Sequence, residues 1–331
     1  MKQLKVGVLG SGSWATAIVK ILQTNMRNVN WWVREPEIAE YVRDTGVNKA
    51  YLSSVRLNPR LLNVDTDIKN VIQGSDVLVL VIPSIYINAA FEGLTPKDFE
   101  EKKIISAVKG IVPEEMMIVA NYLETKFQIP SRDIGIITGP SHAEEIALEK
   151  LTFLTAASKL KPMRDLTFEL FSCSFIKIIT SNDIYGLEYA TVLKNVYALG
   201  GGILKGLGYG DNFFAAYVAN CTKEMKVFIR HVHPVERTYY HSAYLGDLLV
   251  TAYSQFSRNR TFGQMIGQGY SVASAKLEMK MVAEGYFAAQ CIHAINEKYK
   301  AEIPIIDAIY NVLFLKRSPA IEMRKVIDII R

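Results

Sequence analysis

Apolar and polar positions follow two different rhythms along this chain. Over the first half, short runs that are apolar on both faces recur at residues 4–9, 29–33, 77–82, 104–108 and 134–138, with helical or irregular stretches between them. Strands buried between helices on both sides of a parallel sheet have this pattern. Strands alternating with helices predict a doubly wound α/β sheet, and two further runs, 153–157 and 175–179, extend it. The rhythm changes at Ser181-Asn182-Asp183, where Asn or Asp supplies a helix N-cap. Beyond it, strand-like alternation is scarce and helical periods dominate, at 184–204, 213–232, 272–280, 284–298 and 304–314. The pattern predicts an N-terminal α/β domain over residues 1–181 and a mostly α-helical C-terminal domain over residues 182–331.

Composition narrows the classes of function. Half of the 331 residues are hydrophobic and 21% are charged, which suits two globular domains and excludes a disordered chain. The net charge is +5, but Lys and Arg are scattered, with Arg258-Asn259-Arg260 the nearest thing to a cluster. Without a basic stripe interleaved with aromatics, no nucleic acid is expected as partner; an anionic small molecule suits the charge better. Cys173, Cys221 and Cys291 form no CxxC pair, so neither a disulfide framework nor a zinc site is expected. His231, His233 and His241 lack suitably spaced carboxylates, so no metal is expected there either. The first apolar run stops at Gly10-Ser11-Gly12 and Lys20 follows, unlike a secretory signal. No apolar run approaches the roughly 18–20 residues of a membrane span; the cysteine usage suits a reducing compartment, and the expected location is the cytoplasm.

Five groups of residues carry chemistry. Gly10-Ser11-Gly12-Ser13-Trp14-Ala15 follows the first predicted strand and opens a helical run. Gly10 and Gly12 permit a tight turn and close approach to a pyrophosphate, which the helix N-terminus then binds. This strand, loop and helix predict a Rossmann-type dinucleotide site. Arg34 lies 24 residues after Gly10 at the end of the second strand, where it holds a 2′-phosphate and leans the cofactor toward NADP; adjacent Glu35 leaves NAD open. Three more strands run into Pro83-Ser84, Lys109-Gly110 and Gly139-Pro140-Ser141, at the ends where ligands of open α/β sheets bind. Lys109 is placed beside the nicotinamide.

Lys194 sits in Tyr189-Ala190-Thr191-Val192-Leu193-Lys194-Asn195-Val196-Tyr197, apolar nearly all round. A lysine on a buried helix must find a partner, reach solvent or shift its pKa downward, which makes it a candidate acid/base group. Asn195 can hold a second substrate or cofactor oxygen. Ser257 is read as the cap of a helix whose first turn carries Arg258, Asn259 and Arg260, a fitting cradle for a phosphate monoester. Asp247 either orients Lys194 or accepts a substrate hydroxyl.

These segments, in this order, resemble bacterial NAD(P)-dependent glycerol-3-phosphate dehydrogenases over nearly the whole chain. The resemblance rests on Gly10-Ser11-Gly12-Ser13-Trp14, Val108-Lys109-Gly110, Gly139-Pro140-Ser141, Leu193-Lys194-Asn195-Val196, Leu245-Gly246-Asp247-Leu248, Ser257-Arg258-Asn259-Arg260 and Ala283-Glu284-Gly285-Tyr286. It implies cofactor contacts at Ser13, Trp14, Arg34, Ala143, Val282 and Glu284, with Arg258 also near the cofactor. It implies substrate contacts at Lys109, Gly139, Ser141, Asp247, Ser257, Arg258 and Asn259, and Lys194 as the acid/base. The implied reaction is reversible hydride transfer between NAD(P)H and dihydroxyacetone phosphate, giving sn-glycerol 3-phosphate for phospholipid synthesis. Apart from the resemblance, a homodimer is expected. Ala15 in place of the third glycine, Tyr244 before Leu245-Gly246-Asp247, and the segment 228–241 depart from the family pattern. Two rival readings stand beside this one: a two-domain dehydrogenase of 3-hydroxy or sugar acids, and a non-catalytic cofactor sensor, which would tolerate loss of Lys194.

Overall fold

The computed structural model describes residues 4–25, 28–279 and 283–330. The chain divides into two units, one of residues 1–112 and 117–184, the other of residues 113–116 and 185–331.

In the first unit the strands are β1 (Val6–Leu9), β2 (Val29–Trp32), β3 (Leu62–Asp65), β4 (Val77–Leu80), β5 (Lys103–Ser106), the short β6 (Ile111–Val112) and β7 (Met117–Ile118), β8 (Ile134–Thr138), β9 (Thr152–Ala157) and β10 (Ile176–Ser181). Between them run α1 (Ser13–Asn25), α2 (Pro36–Thr45), α3 (Ile68–Gln73), α4 (Ile87–Ala90), α5 (Val119–Lys126), α6 (Ala143–Ala147) and α7 (Lys161–Phe171). Eight strands form one Rossmann-like sheet in the order β10-β9-β8-β5-β4-β1-β2-β3. The chain leaves β1 to one side for β2 and β3, then returns to its other side for β4. This reversal makes the carboxyl end of β1 a topological switch point, where open α/β sheets bind ligands. Ile18, Ile21, Leu22 and Trp31 are among the buried side chains that pack helices onto the sheet.

Most pairings are parallel, as the apolar runs imply, but β9 runs antiparallel to β8. The connection through α6 therefore stays at the carboxyl end of β8, and the chain re-enters the sheet from there. The predicted runs overshoot the strands because Val81, Ile82 and Ala107 stay buried after the ladder ends. The edge strand β3 escapes the pattern because Asn63 and Asp65 make one of its faces polar.

The second unit is helical: α8 (Ile184–Gly206), α9 (Asp211–Val232), α10 (Asp247–Tyr253), α11 (Arg258–Gly267), α12 (Val272–Glu278), α13 (Glu284–Tyr299), α14 (Pro304–Phe314) and α15 (Pro319–Ile329). No helix among the described residues is long and apolar enough to cross a membrane. α8 is the core of this unit, with Val192, Leu193, Val196 and Tyr197 fully buried. α11 crosses it closely, since a Cβ on Gly263 would overlap the Leu199 carbonyl. α14 follows Pro304 at its first position, and its N-terminus is capped from another helix. The buried Glu224 of α9 accepts from Ile305 N (2.7 Å) and Ile306 N (3.1 Å). Burial pushes this carboxyl up to about 8, although the two N–H groups favour its charge.

Candidate active site

Half of the candidate residues gather at the carboxyl ends of β1, β2, β5 and β8. Gly10 leaves β1 at φ +136, and a Cβ there would lie 2.7 Å from Val81 O, so glycine is required. The buried Trp31 of β2 pins the loop by donating to Gly10 O at 2.7 Å. Gly12 faces open space, with nothing within 4 Å of a Cβ built on it. α1 begins at Ser13, so its first free N–H groups lie next to that opening. Asn48, fully buried, holds the turn in place through Ser11 O (2.8 Å) and Thr16 Oγ1 (2.9 Å). Ser13 Oγ donates to Tyr51 O at 2.9 Å, so the segment after α2 forms one wall of the loop.

Arg34 is largely exposed and bound to its neighbour: Nη2 lies 2.7 Å and Nε 3.1 Å from Glu35 Oε1. The other Glu35 oxygen accepts from Ser11 Oγ at 2.9 Å. Burial opposes ionisation of Glu35, but the Ser11 hydroxyl and Arg34 guanidinium outweigh it and hold the carboxyl below the usual range. A fixed carboxylate therefore sits between the glycine loop and the guanidinium.

Trp14 donates through Nε1 to Ala107 O at 3.0 Å, and Lys109 Nζ lies 5.1 Å from its ring centre. Lys109 Nζ donates to Ser141 Oγ (2.6 Å) and Gly139 O (3.3 Å). Ser141 in turn donates to Gly139 O at 2.8 Å. Residues from α1, from the end of β5 and from the β8–α6 loop thus form one cluster, with Ala143 opening α6 beside it.

The second unit holds the other half. Lys194 on α8 is 3% exposed, and its Nζ lies 2.5 Å from Oδ1 of Asp247, itself 1% exposed. Asp247 opens α10 directly after a π-helical turn, Ser242–Gly246; such turns occur often at functional sites. Neither Asp247 oxygen receives a directed hydrogen bond among the described residues. A buried carboxylate with unused acceptor capacity beside a buried ammonium is unusual, because buried polar groups are almost always satisfied. The carboxylate thus keeps acceptor capacity for the hydroxyl of a ligand.

Ser257 caps α11, accepting from Arg260 N at 3.3 Å. Arg258 is exposed in the first turn. Asn259 is buried, and its Oδ1 accepts from Gly285 N at 2.8 Å, in the first turn of α13 beside Glu284. Val282 lies outside the described residues. His233 is held by Arg237 Nη2 at 2.5 Å and packs on Tyr185, while His231 Nδ1 meets Val227 O at 2.8 Å.

Comparison with known proteins decides what these halves belong to. The family model for the N-terminus of NAD-dependent glycerol-3-phosphate dehydrogenase matches residues 5–163, and that for its C-terminus residues 183–324. The chain belongs to the NAD-dependent glycerol-3-phosphate dehydrogenase family. The glycerol-3-phosphate dehydrogenase [NAD(P)+] of Agathobacter rectalis is 35% identical, over 94% of this chain and 91% of its own. The Bacillus subtilis protein of the same name is 32% identical, over 94% and 90%. Among solved structures, glycerol-3-phosphate dehydrogenase from Coxiella burnetii superposes with a TM-score of 0.90 at 24% identity, covering 98% of this chain and 99% of that one. A D-mandelate dehydrogenase with NADH reaches only 0.61 at 14% identity, covering 95% and 98%. Both structural likenesses speak for the fold alone.

Against the family pattern, the structure brings Trp14, Lys109, Gly139 and Ser141 together in one unit. In the other it joins Lys194 to Asp247 and Asn259 to the start of α13. Asn48 and Tyr51 were not foreseen, because they shape the loop from a segment with no motif of its own. The one available signal is Asn48, a buried amide donating to the loop carbonyl, and it needs the fold to be seen.

Proposed function

We propose that this chain catalyses the reversible NAD(P)-dependent reduction of dihydroxyacetone phosphate to sn-glycerol 3-phosphate. The observation that carries the reading is the buried Lys194–Asp247 pair, whose carboxylate keeps both oxygens free of directed hydrogen bonds. The family membership supports the substrate and the reaction class.

The glycine loop fits a dinucleotide: Gly12 faces open space, and the first turn of α1 adjoins it. The loop would hold the pyrophosphate, and the nicotinamide of the bound cofactor would supply the hydride for the ketone carbon. Lys194 gives a proton to the ketone oxygen and takes it back in the reverse direction. Asp247 aims the Lys194 side chain and accepts from a substrate hydroxyl. Arg258 and the N–H groups opening α11 hold the phosphate, so binding energy remote from the ketone orients it. Lys109, steadied by Ser141 and Gly139, assists in polarising the ketone. Arg34 favours the 2′-phosphate of NADPH and Glu35 a free ribose hydroxyl, so both cofactors are used. The same reading makes the enzyme a cytoplasmic homodimer that supplies glycerophospholipid synthesis; light scattering on the purified chain tests the dimer.

Initial rates with a substrate panel test the proposal. Dihydroxyacetone phosphate should be reduced with either cofactor, and 3-hydroxy acids should not be oxidised. Activity on a 3-hydroxy acid without activity on dihydroxyacetone phosphate would replace this reading with the hydroxy-acid one.

A further inference from the structure

Three segments that carry proposed ligand contacts meet at one backbone position, Gly285. Its N–H donates to Asn259 Oδ1 at 2.8 Å in a buried bond. A Cβ on Gly285 would overlap the carbonyl oxygen of Asn195 and lie 3.0 Å from Asn259 Oδ1. The first turn of α13, which carries Glu284, is thereby pressed onto α8 next to Lys194 and tied to the first turn of α11 next to Arg258. A glycine is needed here for close packing, since its φ lies outside the left-handed region. Asn259 Oδ1 accepts this bond, and its amide nitrogen remains a donor.

We infer that Gly285 is a positioning residue whose clasp with Asn259 and Asn195 makes cofactor and phosphate substrate strengthen each other's binding. The inference rests on the functional reading above, which gives Glu284 to the cofactor and Arg258 and Asn259 to the phosphate. Cofactor against Glu284 fixes the first turn of α13. The clasp then fixes Asn259, and with it the first turn of α11, before substrate arrives. Substrate on Asn259 fixes α13 in the reverse order. Two sites that order the same element are coupled, and the coupling is reciprocal in binding free energy.

The test is fluorescence titration of the full chain with NADPH, with and without saturating sn-glycerol 3-phosphate. These two cannot react, because both are reduced. In the wild type, sn-glycerol 3-phosphate should tighten NADPH roughly 5-fold or more, the lower end of ordinary coupling. Gly285→Ala should bring that ratio close to one and should raise KM for dihydroxyacetone phosphate more than it lowers kcat. Asn259→Leu, which removes the acceptor, should abolish the ratio too, and decides the matter if Gly285→Ala does not fold. Gly210→Ala, where a Cβ meets nothing within 4 Å, should keep the wild-type ratio. A wild-type ratio near one overturns the inference, as does a ratio retained in folded Gly285→Ala or Asn259→Leu. If the wild type turns over dihydroxyacetone phosphate and the ratio survives these changes, the clasp fails and the function stands. If the wild type does not turn it over, both fail.

Discussion

Replacing Lys194 with methionine should disable catalysis and destabilise the fold, and the two losses should separate in a second variant. Methionine keeps the length of the stem on α8 but removes the ammonium. The proton donor is gone, and general acid catalysis is worth about 10²–10⁴-fold, so kcat should fall by at least that range. Asp247, 1% exposed, then loses the cation 2.5 Å from its Oδ1 and has no directed hydrogen bond to compensate. Removing one partner of a buried ion pair costs about 3–5 kcal/mol. In a domain of this size that lowers the melting temperature by on the order of 10 °C. Lys194→Met/Asp247→Asn removes both charges together, so most of the stability should return while kcat stays low. Lys194→Arg should also be inactive, because a guanidinium does not give up its proton near neutral pH. The assay is kcat for each variant beside its melting temperature and NADPH affinity, the last of which should change little. Near-normal kcat in a folded Lys194→Met protein would refute the assignment and make Lys109 the next proton donor to test. A double variant no more stable than the single one would show that the pair does not stabilise the helix as argued.

Other changes probe the rest of the site. Arg258→Ala should raise KM for dihydroxyacetone phosphate by roughly 10–150-fold, the worth of about 1.5–3 kcal/mol for a hydrogen bond to a charged group. An unchanged KM would remove Arg258 from phosphate binding. Glu35→Gln should raise kcat/KM with NADPH relative to NADH, because it withdraws a carboxylate held ionised by Ser11 and Arg34, and Arg34→Ala should do the reverse; ratios unmoved by either would show that the pair does not read the ribose. Glu224 carries a sign of its own. The unfolded carboxyl ionises in the ordinary range while the folded one stays neutral up to about 8, so its stabilising contribution is whole below the ordinary range and is lost as pH rises toward about 8. Melting temperature should fall across that window more steeply in the wild type than in Glu224→Gln, and parallel curves would contradict the burial argument.

Much of the first unit was legible because its strands are buried on both faces and Gly10 needs a conformation only glycine adopts freely. β8 was read to its last residue, since Gly139 ends it abruptly. The antiparallel turn into β9 was not legible, because period and composition do not encode strand direction. Lys194 stood out by contrast, one charge on an apolar helix, but its partner Asp247 lies 53 residues later and only the fold selects between orienting Lys194 and binding a hydroxyl. In the structure Asp247 contacts Lys194 and keeps acceptor capacity besides. Asn259 shows a second limit: its motif suggests a ligand contact, and only the fold adds that its oxygen accepts from the N–H of Gly285.

The most direct test of the central claim follows the hydride. The purified enzyme is incubated with dihydroxyacetone phosphate and reduced cofactor carrying deuterium at the transferable nicotinamide position, and the product is read by nuclear magnetic resonance. The account predicts sn-glycerol 3-phosphate with deuterium on its central carbon, and little product when unphosphorylated dihydroxyacetone is supplied instead. Equal conversion of both ketones, or a product without deuterium on that carbon, would contradict it.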